Sequence, residues 1–203
     1  SMVNSSNGIA GRVGSPGETT CNTSGCHVGN TLNAAGGSIT ISAPTLANWQ
    51  YFPGAVYPIS VTIARTGCPI FGIGFEALRA SGADAGTLTA GTGTKIIVAN
   101  ILGNSRSNIV HTLNGGTSST GSKTFTFNWT APAAGTGTVT FYAAGNATTD
   151  ADALADNATD IIATYGLDGV FSQQQADVIQ QFIRQFDVPL GNKTPRIEKT
   201  LSL

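Results

Sequence analysis

Charge is what this sequence has least of. Lys and Arg together number 10 and Asp and Glu 11, giving a formal net charge of -1 over 203 residues. A typical soluble domain is about 25% charged. The near balance of signs leaves no electrostatic footprint for a polyanion, which argues against nucleic acid as a partner. No stretch approaches the roughly 20 consecutive apolar residues of a membrane-spanning helix. Histidine is almost missing too, with only His27 and His111. With no Gly-x-Ser-x-Gly elbow and no His-Glu-x-x-His motif, little is left from which to build a hydrolytic site. The chain therefore reads as an electron carrier or a binding module more than as an enzyme.

What is abundant is Gly, 26 of them, with Ser, Thr, Asn and Ala filling the surface that charge usually fills. Such a surface is expected of a secreted or cell-surface protein, the periplasm being the other compartment it suits. The length suits one domain with a self-sufficient core. Ser1 ahead of Met2 reads as a residue left by tag cleavage, and the tail ending at Leu203 is expected to continue into something longer.

Residues 1–37 show little apolar periodicity and are expected to be irregular. From Ser38 onward, stretches rich in Thr, Val, Ile and Phe alternate with Gly, Pro and Asn clusters every ten to fifteen residues or so, the rhythm of an antiparallel β-sandwich. Strands are predicted over 38–42, 57–65, 72–79, 87–90, 95–100, 107–112, 123–129 and 136–144, with Asp160–Tyr165 as a possible last one. The alternation is strictest in 123–129, where Phe125, Phe127 and Trp129 face one way and Thr124, Thr126 and Asn128 the other. Pro53-Gly54 and Pro132 before Gly135 mark chain reversals. From Ser172 the period becomes helical, with Ala176, Ile179, Phe182, Ile183 and Phe186 on one face, so that residues 168–187 are expected to form a docked helix and 188–203 a tail. The sandwich proper is then 38–167.

The chemistry-bearing residues concentrate at Cys21-Asn-Thr-Ser-Gly-Cys26-His27. In c-type cytochromes two thiols add to the haem vinyls and the histidine after the second cysteine ligates the iron. Cys21 and Cys26 are thus candidate thioether positions, His27 the candidate proximal ligand and His111 the candidate distal one, with covalent haem c as the expected cofactor. Two other readings stand beside it: a Cys21–Cys26 disulfide with an incidental His27, and a zinc site drawing on Cys68 or His111. Met2, the one methionine, does not suit His/Met ligation. His111 also reads as a hydrogen-bonded strand histidine, and Cys68 as a buried, inert thiol. Asp150, Asp152, Asp156 and Asp160 could attract calcium, but the glycine and terminal glutamate of an EF-hand loop are missing, which favours a solvated acidic loop. The run Gly116–Thr124 is one residue off a phosphate-binding loop and precedes a strand where a helix is needed.

Two stretches carry a family resemblance. Ser15-Pro-Gly-Glu-Thr-Thr-Cys21 through Cys26-His27 resembles the opening of bacterial choice-of-anchor V proteins. Val110-His-Thr112, Phe127-Asn-Trp-Thr-Ala-Pro132 and Gly137–Asn146 look like the core of the same domains and of the related Reeler domain. The resemblance spans roughly 11–146 and implies an immunoglobulin-like β-sandwich at the surface of a Bacteroidetes-type bacterium, with His111 on the family's histidine position. The family usually has two residues between the cysteines; this chain has four. The main expectation is an exported monohaem carrier passing single electrons to a redox partner or surface component. The alternative is a haem-free adhesion or carbohydrate-binding sandwich with a Cys21–Cys26 disulfide, in which Trp49, Tyr51 and Phe52 could form a stacking platform, although core or strand-edge packing is the more usual place for such residues.

Overall fold

The computed structural model describes residues 7–22 and 30–149, together with the backbone of 159–167. Nine strands follow one another: β1 (Gly37–Ser42), β2 (Val56–Arg65), β3 (Ile70–Arg79), β4 (Thr87–Thr89), β5 (Thr94–Ile101), β6 (Asn104–His111), β7 (Ser122–Thr130), β8 (Val139–Thr148) and β9 (Thr159–Leu167). They form two antiparallel sheets, a four-stranded one ordered β1-β2-β7-β4 and a five-stranded one ordered β5-β6-β3-β8-β9. The mainly β, antiparallel sandwich expected from the sequence is the fold found. The expected C-terminal helix and the tail lie outside the described residues.

Period-two patterning decides which side of each strand is inside. In β7, Phe125, Phe127 and Trp129 are buried, and their partners across the ladder in β2, Val61, Ile59 and Tyr57, are buried with them. From the facing sheet, Phe71, Ile73, Phe75 and Ala77 of β3 and Val139, Phe141 and Ala143 of β8 close the core. Trp129 is its hub. Its ring meets Tyr51 and Phe141 edge-on, at centroid separations of 5.5 and 5.0 Å, and Phe75 packs on Phe127 at 4.7 Å. The indole N–H would be stranded there without an acceptor. It donates to the carbonyl of Ala85 at 2.7 Å.

The turns fall where Pro and Gly signalled them, with Gly54 and Gly135 at φ of 72° and 81°. Pro58 sits inside β2 but past the last β1 pair, Ser42↔Ser60, so its missing N–H does not interrupt the β1–β2 ladder. Cys68 is buried in the core cluster, in agreement with its reading as an inert thiol.

Candidate functional site

The irregular N-terminal segment is not loose. Residues 8–17 lie as a strap on the outer face of the five-stranded sheet and run antiparallel to β6. Gly8 N–H donates to the carbonyl of His111 at 3.0 Å, Gly11 N–H to Asn108 Oδ1 at 3.2 Å, and Gly17 rests on Ile101 and Leu102 at the β5–β6 turn. Close approach requires that face to be small: a Cβ on Gly74 would sit 2.8 Å from the Val13 side chain, and one on Gly8 would sit 2.6 Å from Val110 Cβ.

Ser15-Pro16-Gly17-Glu18, one of the motifs behind the family resemblance, is the latch of this strap. Glu18 N–H donates back to the carbonyl of Ser15 at 2.9 Å, and Gly17 has a φ of 88°. Proline at the second position and a positive-φ glycine at the third make a type II turn. The turn presents Ser15 to a buried ion pair. Arg106 Nη1 donates to Ser15 Oγ and to the Pro16 carbonyl, both at 3.0 Å, and Ser15 Oγ donates to Glu76 Oε2 at 3.0 Å. Arg106 Nε donates to the Gly82 carbonyl at 2.6 Å, Asn108 Nδ2 donates to Glu76 Oε1 at 2.8 Å, and Arg106 and Glu76 approach to 3.9 Å. Glu76 and Arg106 are 0% and 1% exposed, so the guanidinium and the carboxyl are tolerated inside only because each is hydrogen-bonded on several sides.

Glu18 completes the cluster. Its Oε2 accepts the Val13 N–H at 3.0 Å, while its buried Oε1 has no donor. It lies within hydrogen-bonding reach of Glu76, and two neighbouring buried carboxyls are stable together when they share a proton. Burial first, and then Glu18, push Glu76 up to about 8, against the opposing pull of Ser15 and Arg106. The arrangement is a structural lock. Sequence reasoning missed it, although a lone carboxylate between Phe75 and Ala77 in an apolar strand was a signal.

His111 lies at the other end of the strap. Its Nδ1 accepts the N–H of Ile73 at 3.3 Å, and its ring lies so close to Gly72 that a Cβ there would sit 3.1 Å from Cε1. Burial is the main cause that holds its pKa below the ordinary value; nearby Lys95 acts the same way and the Ile73 bond opposes it. With Nδ1 accepting, the neutral ring carries its proton on Nε2. A metal-bound histidine has the reverse arrangement, donating its second N–H outward. As placed, His111 would have to exchange tautomers and lose the Ile73 bond to bind iron through Nε2.

Cys21 is half-buried and follows Thr20, which bridges to Val13, so the chain doubles back along the strap. Asn22 Nδ2 donates to the Asn30 carbonyl at 2.9 Å, tying together the two ends of the segment between them. Cys26 and His27 belong to that segment and lie outside the described residues, as do Asp150, Asp152 and Asp156. Among the described residues no group of three or more His, Cys, Asp or Glu gathers around one point, and no helix is long and apolar enough to cross a membrane.

Of the three aromatics weighed between a stacking platform and core packing, two go to the core: Tyr51 is fully buried and donates its hydroxyl to the Gly137 carbonyl at 2.6 Å, and Trp49 is partly buried against it, while Phe52 is exposed. Tyr51 is needed edge-on to Trp129, and that packing decides its direction.

No protein-family model matches the sequence, and no curated protein matches it. Solved structures do match in shape. A human F-spondin reeler domain matches at 19% identity over 68% of this chain and 91% of its own, with a TM-score of 0.40. A cohesin module from a Clostridium perfringens family 33 glycoside hydrolase matches at 12% identity over 66% and 97%, with a TM-score of 0.43. A DUF4466 family protein from Parabacteroides merdae matches at 15% identity over 70% of this chain but 45% of its own, with a TM-score of 0.40. The sandwich assignment itself rests on the strand order and register of this chain.

Proposed function

We infer that this chain is a haem-free binding or adhesion module of the extracellular kind, a β-sandwich that presents a surface and performs no reaction. The observation that carries this reading is the hydrogen bond from Ile73 N–H into His111 Nδ1. It engages the side chain of the histidine expected to reach iron in a bond between β3 and β6, while the carbonyl of the same residue takes the strap's Gly8 N–H. The Ser15–Glu18 turn is likewise accounted for by the Arg106–Glu76 lock. The charge-poor surface supports placement outside the cytoplasm. In this reading Cys21 and Cys26 form a small disulfide.

The test is the tautomer of His111, read from its imidazole nitrogens by nuclear magnetic resonance on protein exported from a host competent for c-type haem maturation. The module reading expects a neutral ring protonated at Nε2, with Nδ1 accepting. A ring protonated at Nδ1, or shifted by a paramagnetic neighbour, overturns it.

A second reading keeps one specific observation in its favour. The doubling back at the Val13–Thr20 bridge leaves Cys21 beside the strap that starts on His111, so both lie on the same side of the sandwich. Covalent haem c on Cys21 and Cys26, with His27 and His111 as axial ligands, would make the chain a one-electron carrier. His111 does not fit that role in its present tautomer. Under this reading His27→Ala abolishes a low-spin haem spectrum and leaves the sandwich folded; an unchanged spectrum excludes His27 as ligand.

A further inference from the structure

The outer face of the four-stranded sheet is built differently from every other surface described. Its outward positions align in rows across strands: Thr40, Thr62 and Thr124 in one, Ser42, Ser60 and Thr126 in the next. Neighbours in a row are about 4.8 Å apart and successive rows are about 6.7 Å apart, as strand geometry dictates. Within the first row Thr62 Oγ1 and Thr124 Oγ1 are 2.8 Å apart and share a hydrogen bond. In the next two rows Asn128 pairs with Thr89 and Thr130 with Thr87, but β2 supplies Pro58 and the exposed Val56 there, so the hydroxyl pattern is continuous over the β1–β2–β7 rows and interrupted at this end.

No Asp, Glu, Lys, Arg or His occupies an outward position of these four strands. The two cations they contain, Arg65 and Lys123, fall on the inward parity, in the register of Ile63. Nor is there an outward aromatic. This face therefore cannot steer an ionic ligand, and it lacks the apolar, aromatic centre of a protein–protein interface. What it offers is a grid of hydroxyls, each both donor and acceptor.

We propose that this face is a docking surface for an ordered, uncharged polysaccharide, a solid whose own hydroxyls repeat. The proposal rests on the module reading above and names its ligand class. The matching of neutral to neutral selects the partner's charge. Each hydroxyl contact replaces one with water and so gains little. A soluble sugar touching one or two positions gains almost nothing, whereas a repeating surface engages several rows at once and is retained by multivalency.

The test is retention of the full chain on insoluble cellulose, chitin and mixed β-glucan, at low and high salt, alongside an ice-adsorption assay. The expected result is retention on at least one neutral polysaccharide, insensitive to salt and to competing monosaccharide. It should fall by at least about tenfold in the double variant Thr40→Lys/Thr126→Lys. The control Val98→Lys, at an exposed position of β5, should be retained like the wild type. Thermal unfolding of all three proteins shows whether each is folded. If the double variant is unfolded, Thr40→Val/Thr126→Val, which removes both hydroxyls at nearly constant shape, is used, with reduced retention expected. Absence of retention on every polysaccharide, retention equal in wild type and folded face variants, loss of retention at high salt, or adsorption to ice alone overturns the proposal. The module reading fails separately, through a haem absorption spectrum. Colourless protein without retention defeats only the assignment of the ligand.

Discussion

The two outer faces of this sandwich arise from the same alternation and meet opposite fates. On the five-stranded sheet the outward positions under the N-terminal segment include glycines, Gly72 and Gly74, and fully buried polar groups, Glu76, Arg106 and Asn108. A strap covers them. On the four-stranded sheet the outward positions are mostly Ser and Thr, none is charged, and they face solvent. In a chain this poor in charge, a guanidinium and a carboxyl are placed inside, under the strap, where each is hydrogen-bonded on several sides. The comparison separates what holds the molecule together from what it shows to its surroundings.

The largest effect expected from breaking the covered face is that of Arg106→Met. It leaves Glu76 and Glu18 buried beside each other without a cation, which should cost about 3–5 kcal/mol in urea unfolding. It should also release the strap, so that trypsin cleaves at Arg12 in the otherwise native protein. Ser15→Ala is next. It removes the hydroxyl that accepts from Arg106 and donates to Glu76, and about 1–3 kcal/mol is expected from denaturant titration.

The pH dependence sharpens the same contrast. Glu76 is raised from 4.5 to about 8 in the folded chain. Between those values the folded state holds a proton that the unfolded state has lost, so stability must fall as pH rises. This contribution is complete below 4.5 and gone above about 8. Thermal unfolding of Glu76→Gln across that window should show a flatter profile than the wild type; identical profiles would mean that Glu76 is ionised throughout. At the small end, Thr126→Ala on the open face should change stability by no more than about 0.5 kcal/mol, as measured by urea unfolding.

The strands were legible because their alternation is a local property. The run from Lys123 to Trp129 announced both β7 and its buried side, and the structure extends it by one residue at each end. Where boundaries moved, chemistry explains it. β6 begins at Asn104, three residues before the apolar pattern suggested, because Arg106 reads as a surface residue until its partners are known. β8 starts later, at Val139, since Gly135 and Gly137 both take positive φ.

The strap was not legible, and the reason is also physical. It has no apolar period, and it is held by contacts between residues far apart in sequence: Ser15 with Glu76 and with Arg106, Gly11 with Asn108. A Ser-Pro-Gly-Glu motif announces its turn but not what the turn clasps. The same limit applied to His111, for which a hydrogen-bonded place on its strand was one reading, while its partner, Ile73 on another strand, was not foreseen. Core packing was the favoured place for Tyr51, but its particular partner, Trp129, depends on a loop packing that no short pattern encodes.

In the module reading the N-terminal segment fastens a strap and carries no cofactor. The most direct test of that reading is the intact mass and visible spectrum of the chain exported from a host that matures c-type haem, beside the same chain made in the cytosol. The account predicts a colourless exported protein lighter than its reduced form by two hydrogens, the mark of a Cys21–Cys26 disulfide. A red protein heavier by one haem would contradict it.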